Sequence, residues 1–269
     1  MNVEKLKIFM GGDVFSDAGI AVVEKKLKNL REQYSVDFVI YNGENASGGN
    51  GLLENDANRI FAAGADVITG GNHIFEKRDS YPFLASERRV LRPYNYPKNL
   101  SSLIENTEEI PGHGFDFYDC KGTKIAVLNL QGRESMTPLD CPFKAAAECA
   151  AKAAEAGAPL FVDFHAESND EKEALALFLD GKAAAVCGTH THVQTADERI
   201  LPKGTAYITD LGMSGVADSV IGSDAEIVVK RNLTQVLYKM ENATGEAVLQ
   251  GALITIEDNA VKSIERIQF

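Results

Sequence analysis

Short apolar segments alternate with amphipathic ones through most of the chain, and this alternation limits the fold more than any other feature. Strands are predicted at 5–10, 37–41, 66–69, 124–130, 159–164, 183–187 and 205–209. Predicted helices lie between them: one carries Ile20, Val23, Leu27 and Leu30, and others span about 53–63, an Ala-rich stretch that stops at Gly157, and 170–180. Because short strands that alternate with helices are typical of α/β proteins, we expect an α/β fold.

Two stretches depart from this alternation. From about Glu226 onward, strand-like segments follow one another: EIVVKRNLTQVLYKM, AVLQGALITIE and AVKSIERIQF. A single parallel sheet does not end in this way, so these segments predict a second, largely antiparallel sheet. The stretch from about 75 to 120 contains four prolines and little periodicity. We expect it to form a cap insertion over the functional site of a single domain spanning 1–269.

Charge and hydropathy exclude several classes of protein. The chain has 269 residues, with 27 Lys and Arg against 39 Asp and Glu, which gives a formal net charge of −12. Because duplex binding depends on basic contacts to phosphate, this balance argues against a general nucleic-acid-binding surface. No apolar run approaches the ~20 residues that span a bilayer, and Asp13 lies where a signal peptide would still be apolar. We therefore expect a cytoplasmic protein without a membrane partner, whose four cysteines are reduced packing residues.

Polar side chains that can bind a metal follow five of the predicted strands. GGD follows the first strand, NGEN the second, GGNH the third, HAE the fifth and GTHTH the sixth. Since α/β folds place their ligand sites beyond the carboxyl ends of strands, these motifs are expected to converge.

The distribution of histidines supports a metal site. The chain has five histidines, and His73, His165, His190 and His192 all lie in these strand-end motifs. His113 lies in a loop flanked by glycines and is expected to have no metal role. A hydrogen-bonded loop histidine would explain any one of the four alone. Four of them beside acidic and amide side chains favour metal ligation.

Seven side chains are candidate ligands, which is too many for one ion. They are Asp13, Glu44, Asn45, Asn72, His165, His190 and His192. Two ions that share one carboxylate explain this number, and imidazole, carboxylate and carboxamide ligands suit Fe, Mn, Zn or Co. Two ions ~3.5–4 Å apart can activate a bridging hydroxide and neutralise the oxygens of a phosphate in an in-line displacement. The two rings of the H-x-H motif can serve different ions, since residues i and i+2 of an extended segment project the same way.

The motifs GD, GEN, GNH, H and GTHTH occur in an order that resembles the calcineurin-like metallophosphoesterase superfamily. Most members carry a histidine two residues after the first aspartate and an aspartate as the bridging ligand, whereas this chain has Phe15 and Glu44. These departures, with GGDVFSDAG, YNGENASGGNG, TGGNHIFEK, VDFHAE, GTHTHVQTAD and ITDLGMSGVADSVIG, make the chain similar to the YmdB-like branch. Members of that branch are cyclic-nucleotide phosphodiesterases. The resemblance runs from Lys7 to about Gly222.

The resemblance implies a role for each candidate residue. Asp13, Asn45 and His192 would hold the first metal with Glu44 bridging, while Asn72, His165 and His190 would complete the second. His73 would be a catalytic histidine outside the ligand set, which donates a proton to the leaving oxygen or stabilises the developing charge. Because Phe15 replaces the usual histidine, Asn45 is implied as the compensating ligand.

The resemblance also implies a two-sheet αββα sandwich with a small cap and a dinuclear phosphodiesterase for 2′,3′-cyclic or 3′,5′-cyclic nucleotides. A metal-bridging hydroxide would attack phosphorus. Iron is the expected metal, followed by manganese and then zinc, and the family suggests a homo-oligomer. Two alternatives stay open: a phosphomonoesterase or protein phosphatase of the same superfamily, and a regulatory nucleotide-binding protein with little turnover. A metal-dependent amidohydrolase is disfavoured, because its H-x-H motif usually belongs to the first strand.

Other polar residues near these motifs have two interpretations at this point. Asp163 and Glu167 could orient a ligand imidazole, or they could serve at a helix start or at the surface. The glycine-rich loop at 211–219 could contact substrate or form a tight turn. Asp210 and Asp218 have the chemistry of ligands, but the site is already full, so we expect structural hydrogen bonds instead.

Overall fold

The structure is a computed structural model that describes residues 5–98, 100 and 109–269, and within these ranges the chain forms fourteen strands and six α-helices. The strands are β1 (Lys5–Val14), β2 (Phe38–Asn42), β3 (Val67–Thr69), β4 (Val90–Leu91), β5 (Phe115–Cys120), β6 (Thr123–Gln131), β7 (Leu160–His165), β8 (Ala185–Thr189), β9 (Arg199–Ile200), β10 (Ala206–Ile208), β11 (Met213–Val216), β12 (Ala247–Val248), β13 (Gln250–Glu257) and β14 (Ala260–Gln268). The helices are α1 (Ser16–Tyr34), α2 (Glu54–Ala63), α3 (Tyr81–Ser86), α4 (Pro142–Glu155), α5 (Asn169–Phe178) and α6 (Ala225–Thr234).

The strands form two mixed sheets. The first has the order β12-β11-β1-β2-β3-β4, with β13 also paired to β1 and β14 paired to β13. In this sheet β1 to β4 and β11 are parallel, whereas β12, β13 and β14 run antiparallel to their partners. The second sheet has the order β5-β6-β7-β8-β10-β9, with four parallel central strands and an antiparallel strand at each edge. The prediction of an α/β fold with two sheets is therefore confirmed.

Three apolar clusters hold the layers together. Between the two sheets, Ile40 of β2, Phe161 of β7 and Ile208 of β10 belong to one buried cluster. On the outer face of the first sheet, α1 and α2 contribute a second cluster, to which α1 adds Val23 and Leu27. A third cluster joins α4 and α5 to the outer face of the second sheet. Helices therefore cover both outer faces of the stacked sheets.

The prediction of a strand at 226–240 is wrong, because this segment contains α6. The helix begins at Ala225 and is capped by Asp224, whose side chain accepts a hydrogen bond from the backbone N–H of Ile227 at 3.0 Å. The β-branched run Ile227–Val229 produced the strand pattern. No residue of α6 is buried, so these side chains gain no packing against a sheet. A capped helix satisfies the backbone hydrogen bonds of this segment without pairing to a sheet.

The two last predicted strands exist as β13 and β14, but they extend the first sheet instead of forming a separate antiparallel one. β11 pairs with β1 only at Asp13 and Val14. The same edge of β1 is thus open from Lys5 to Gly11, and β13 pairs there. The second sheet is built instead by strands between Phe115 and Ile208.

The segment at about 75–120 contributes α3, β4 and β5 among its described residues. β4 lies at the edge of the first sheet and β5 at the edge of the second. Residues 99 and 101–108 of the expected cap lie outside the described residues, and a cap over the site stays a prediction.

The four cysteines are free thiols, and Cys120, Cys149 and Cys187 are buried, as expected for packing residues. Within the described ranges, no helix has the length and apolar character needed to cross a membrane.

The cluster between the sheets predicts a strong effect of cavity formation. Phe161 is fully buried there, so Phe161→Ala is expected to lower the free energy of unfolding by about 3–5 kcal/mol in urea denaturation. Leu177→Ala, on the half-exposed face of α5, should change it by less than about 0.5 kcal/mol. Equal effects of the two substitutions would contradict the layered packing.

Candidate metal centre

The carboxyl ends of β1, β2, β3, β7 and β8 meet at one edge of the stacked sheets. Two site residues belong to the strand ends themselves, and the other six lie in the loops that follow β2, β3 and β8. The structure brings together all of the predicted site residues: Asp13, Glu44, Asn45, Asn72, His73, His165, His190 and His192.

His165 is the centre of one group of contacts. Its Nε2 lies 3.0 Å from Asn72 Oδ1, 3.1 Å from Glu44 Oε1 and 3.0 Å from His190 Nδ1. One ligand atom each from Glu44, His165 and His190 all lie within 4.8 Å of one another, a spacing that allows one metal ion to be held.

A second group of contacts surrounds Asp13, which is fully buried. Its Oδ1 has no hydrogen-bond partner among the described residues and lies 3.7 Å from His192 Nε2. The amide nitrogen of Asn45 lies 3.2 Å from the same His192 nitrogen and donates to Glu44 Oε1 at 2.9 Å. Asn45 thus turns its nitrogen toward the site, and a role as an oxygen ligand requires a half-turn of its amide.

The outer ring nitrogen of His165 is held by a chain of hydrogen bonds. The Thr189 hydroxyl donates to Asp163 Oδ1 at 2.7 Å, so its oxygen accepts the proton of His165 Nδ1 at 2.9 Å. In the neutral ring, this direction leaves a lone pair on Nε2, the nitrogen that faces the site. Asp163 therefore acts on His165 through Thr189, which is the orienting role that the sequence allowed for it.

The rings of His190 and His192 are held in the same way, by an oxygen at the nitrogen that points away from the site. His190 Nε2 lies 3.1 Å from Glu167 Oε2, and His192 Nδ1 lies 2.9 Å from the carbonyl oxygen of Ile221. Each outer nitrogen donates to an oxygen, so Nδ1 of His190 and Nε2 of His192 keep their lone pairs toward the site. Metal-binding histidines in proteins are held in this way.

Burial and neighbouring charges shift the pKa values of these groups. Burial by itself lowers the pKa of His165, but the adjacent Glu44 and Asp13 raise that pKa to about 9. Burial, together with the charge on His165, lowers the pKa of His190 to about 4. Burial raises the pKa of Asp13, but His192 and His165 more than offset this effect and hold that pKa well below its usual range. The site thus stabilises positive charge between its carboxylates.

This donor set fits metal cations. Two buried carboxylates, Asp13 and Glu44, face imidazole lone pairs at short distances, and Asp13 Oδ1 lacks a described donor. Buried negative charge and opposed lone pairs are unfavourable unless a cation lies between them. Imidazole nitrogen and carboxylate oxygen are ligands that Mn, Fe, Co and Zn accept.

A glycine is needed where the loop after β3 passes the site. A Cβ atom at Gly71 would lie 2.3 Å from Glu44 Oε2 and 2.4 Å from His165 Cδ2. Either contact is too short for a carbon atom, so any larger residue here would displace Glu44 or His165 from the arrangement described above.

His73 lies at the rim of the site. Its backbone N–H donates to Glu44 Oε2 at 2.9 Å, while its ring is 38% exposed and lies 3.5 Å from Glu76 Oε1. The ring is therefore accessible to a ligand that enters from solvent. His113 lies elsewhere, with Nε2 at 3.1 Å from the carbonyl oxygen of Arg88.

Two buried asparagines support the site, and sequence reasoning gave them no role. Asn42 donates to the carbonyl oxygen of Gly70 and to Asp163 Oδ2, both at 3.0 Å. Asn129 accepts from the N–H of Gly70 at 3.2 Å and donates to its carbonyl oxygen at 3.0 Å. Together they fix the start of the loop that carries Asn72. An asparagine inside an apolar strand, as in KIAVLNL, was the available signal.

The arrangement of the two sheets is shared with solved structures that carry the names of phosphoesterases. A structure described as a novel phosphatase from Mycoplasma pneumoniae superposes with a TM-score of 0.89 at 31% identity, and the match covers 99% of this chain and 94% of that one. The NAD nucleotidase of Haemophilus influenzae shares the fold at a TM-score of 0.59 and 15% identity, covering 99% of this chain and 56% of the other.

The chain belongs to the YmdB-like protein family, whose profile matches residues 9–267. It is 43% identical over 264 residues to the 2′,3′-cyclic-nucleotide 2′-phosphodiesterase of Bacillus subtilis (strain 168). The match covers 97% of this chain and 96% of that protein. The resemblance to the YmdB-like branch is thus confirmed. So is the prediction of a hydrolytic phosphoesterase, since relatives carry the names phosphodiesterase and phosphatase.

The hydrogen-bond chain behind His165 predicts a measurable effect on metal binding. Thr189→Val keeps the side-chain shape but removes the hydroxyl between His165 and Asp163, so affinity for Mn²⁺ in equilibrium dialysis should fall about 10–100-fold. Thr255→Val, in β13, is the control and should bind as the unaltered protein does. Unchanged affinity in Thr189→Val would show that this hydrogen-bond chain does not orient His165.

Proposed function

We propose that the chain is a dinuclear metallophosphoesterase of the calcineurin-like superfamily that hydrolyses cyclic nucleotides. One observation carries the proposal: the outer nitrogens of His165, His190 and His192 all donate hydrogen bonds, while the inner nitrogens of His165 and His192 face Glu44 and Asp13, and the inner nitrogen of His190 lies beside that of His165. That pattern leaves three lone pairs and two carboxylates around one small volume. The cyclic-nucleotide substrate follows the name of the Bacillus subtilis relative.

The proposed ligand assignment follows the two groups of contacts. Asp13, Asn45 and His192 would hold the first ion with Glu44 bridging, while Asn72, His165 and His190 would hold the second. Iron is our first choice, then manganese, then zinc, because imidazole and carboxylate ligands suit all three. When bound, two such ions neutralise the oxygens of a phosphate ester and lower the pKa of an attacking water.

The chain's own residues supply binding geometry and a proton. His73 is the one histidine of the site whose ring is exposed at the rim and makes no contact below 3.5 Å with a ligand residue among the described hydrogen bonds and ion pairs. We assign it to proton donation toward the leaving oxygen of the ester. The hydrogen bond from its backbone N–H to Glu44 keeps His73 beside the metal centre, while its ring stays outside the ligand set.

Two other activities remain as candidates within the proposal. A phosphomonoesterase is supported by the name of the Mycoplasma pneumoniae structure, a novel phosphatase. A regulatory nucleotide-binding protein would use the same ligands without turnover, but it would have no need of a proton donor at His73. Both are distinguished from a phosphodiesterase by the experiment below.

Hydrolysis of a substrate panel tests the proposed function. The Mn- or Fe-loaded protein should hydrolyse 2′,3′-cyclic AMP or 3′,5′-cyclic AMP in preference to mono- and bis-nitrophenyl phosphate. His73→Ala should lower kcat about 10²–10⁴-fold with two metals still bound, because proton transfer is lost. His113→Ala, which removes a histidine held by Arg88, should keep wild-type kcat.

Three results would overturn the proposal in different ways. Faster turnover of the mononitrophenyl ester would favour the phosphomonoesterase. Stoichiometric nucleotide binding without product would favour the regulatory protein. An Asn72→Ala or His192→Ala variant as active as the wild type would remove the metal centre from the reaction.

We also propose that the protein, which we place in the cytoplasm, is a homo-oligomer joined through residues 225–240, named here the α6 arm. Its large apolar side chains are unusually exposed: Val229, Leu233, Val236, Leu237 and Met240. The ten-residue helix α6 buries no residue, and isolated helices of this length are marginal in water. The arm carries three basic residues and one acidic residue, whereas the whole chain has a net charge of −12. A basic, apolar arm is therefore complementary to the acidic body of a second copy.

The oligomer proposal predicts a change in mass on altering the arm. The double substitution Leu233→Asp with Leu237→Asp places charges at two side chains that are 80% and 81% exposed, so it should yield a folded monomer by sedimentation equilibrium. Leu177→Asp, at a half-exposed leucine outside the arm, should keep the wild-type mass. A wild-type protein that is monomeric at all concentrations would contradict the proposal.

A further inference from the structure

Asp210 and Lys172 form a fully buried ion pair directly behind the candidate metal centre. Lys172, on α5, is 0% exposed, and its Nζ donates to Asp210 Oδ2 at 2.8 Å. Asp210 follows β10 and is likewise 0% exposed. The lysine stem passes over Gly188 in β8, where a Cβ atom would lie 2.8 Å from Lys172 Cδ. Neither residue belongs to the proposed ligand set.

The pair is linked to the loop that carries two of the ligand histidines. His190 and His192 have φ angles of 101° and 63°, which side chains other than glycine rarely adopt. Strained conformations of this kind persist only where the surroundings fix them. The residue between the two histidines, Thr191, donates its backbone N–H to Asp210 Oδ2 at 3.1 Å. Asp210 therefore fixes the backbone at the point where both rings are directed into the site.

The other oxygen of Asp210 fixes a second segment of the site. Oδ1 accepts the backbone N–H of Gly212 at 2.9 Å. The carbonyl oxygen of Gly212 in turn accepts the N–H of Asp13 at 3.0 Å. The two backbones approach so closely that a Cβ atom at Gly12 would lie 2.1 Å from the Gly212 carbonyl oxygen. One carboxylate thus joins the segments that hold Asp13 and both histidines of the H-x-H motif.

We propose that Asp210, neutralised by Lys172, is a positioning residue that sets the metal affinity of the centre. Both of its oxygens are engaged by backbone N–H groups and by Lys172, so it does not act as a ligand. Burial raises the pKa of Asp210, and the adjacent Lys172 acts in the opposite direction. The ion pair therefore offsets part of the cost of burying the carboxylate, whose oxygens accept hydrogen bonds from both segments. The inference rests on the proposed metal centre, which it extends to a residue outside the ligand shell.

The test compares Asp210→Asn with a matched buried carboxylate. Asp180 is 6% exposed and accepts the backbone N–H groups of Lys203 and Thr205, just before β10, whereas Asp210 follows β10. Asp180→Asn therefore also replaces a buried carboxylate that accepts two backbone N–H groups, but these groups lie at the opposite end of β10. Mn²⁺ binding is measured by equilibrium dialysis, and thermal unfolding is measured without metal.

We expect Asp210→Asn to bind Mn²⁺ at least tenfold more weakly than wild type, and Asp180→Asn to bind it normally even where both variants lose stability. If Asp210→Asn does not fold, the double variant Asp210→Asn with Lys172→Met, which removes both charges, is measured in its place and should show the same loss of affinity. Wild-type affinity in the folded Asp210 variant, or equal losses in both asparagine variants, would overturn the inference. A wild-type protein that binds no Mn²⁺ would instead overturn the metal centre itself.

Discussion

Two buried carboxylates that face imidazole nitrogens determine how the site is built. Asp13 and Glu44 are both 0% exposed, and burial of unpaired negative charge is strongly unfavourable. The structure compensates by directing ring nitrogens toward them and by raising the pKa of His165 to about 9. A pair of metal cations would compensate far better than a single protonated imidazole can, which is why we consider the donor set to be built for metal.

The fold serves this centre by supplying fixed partners behind each ligand. Parallel strands from two sheets end at one edge, so side chains distant in sequence meet there. Behind them, Thr189 and Asp163 hold His165, while Asp210 holds the loop between His190 and His192. These partners are buried and hydrogen-bonded, so the inner nitrogens are oriented before any ligand arrives. The centre is thus pre-organised by the same packing that stabilises the sheets.

Much of this arrangement was predictable because strand periodicity and strand-end motifs are local signals. The positions of β1, β2, β3, β7 and β8, and the convergence of the motifs after them, follow from the sequence. Three features do not. The hydropathy pattern of the segment with α6 predicts a strand, because it registers the β-branched run and not the helix cap at Asp224. The pairing of β13 with β1 depends on an edge left open by the short β11. The amide orientation of Asn45 depends on its contact with His192, which lies far away in the sequence, as well as on its contact with the adjacent Glu44.

Anomalous diffraction from crystals grown with Mn²⁺ would locate the ions of the proposed dinuclear centre independently of any reaction. We expect two peaks ~3.5–4 Å apart, with Glu44 between them. One peak should lie against Asp13 and His192, and the other against Asn72, His165 and His190. A single peak, or peaks that touch neither Glu44 nor the histidine nitrogens, would contradict the dinuclear centre.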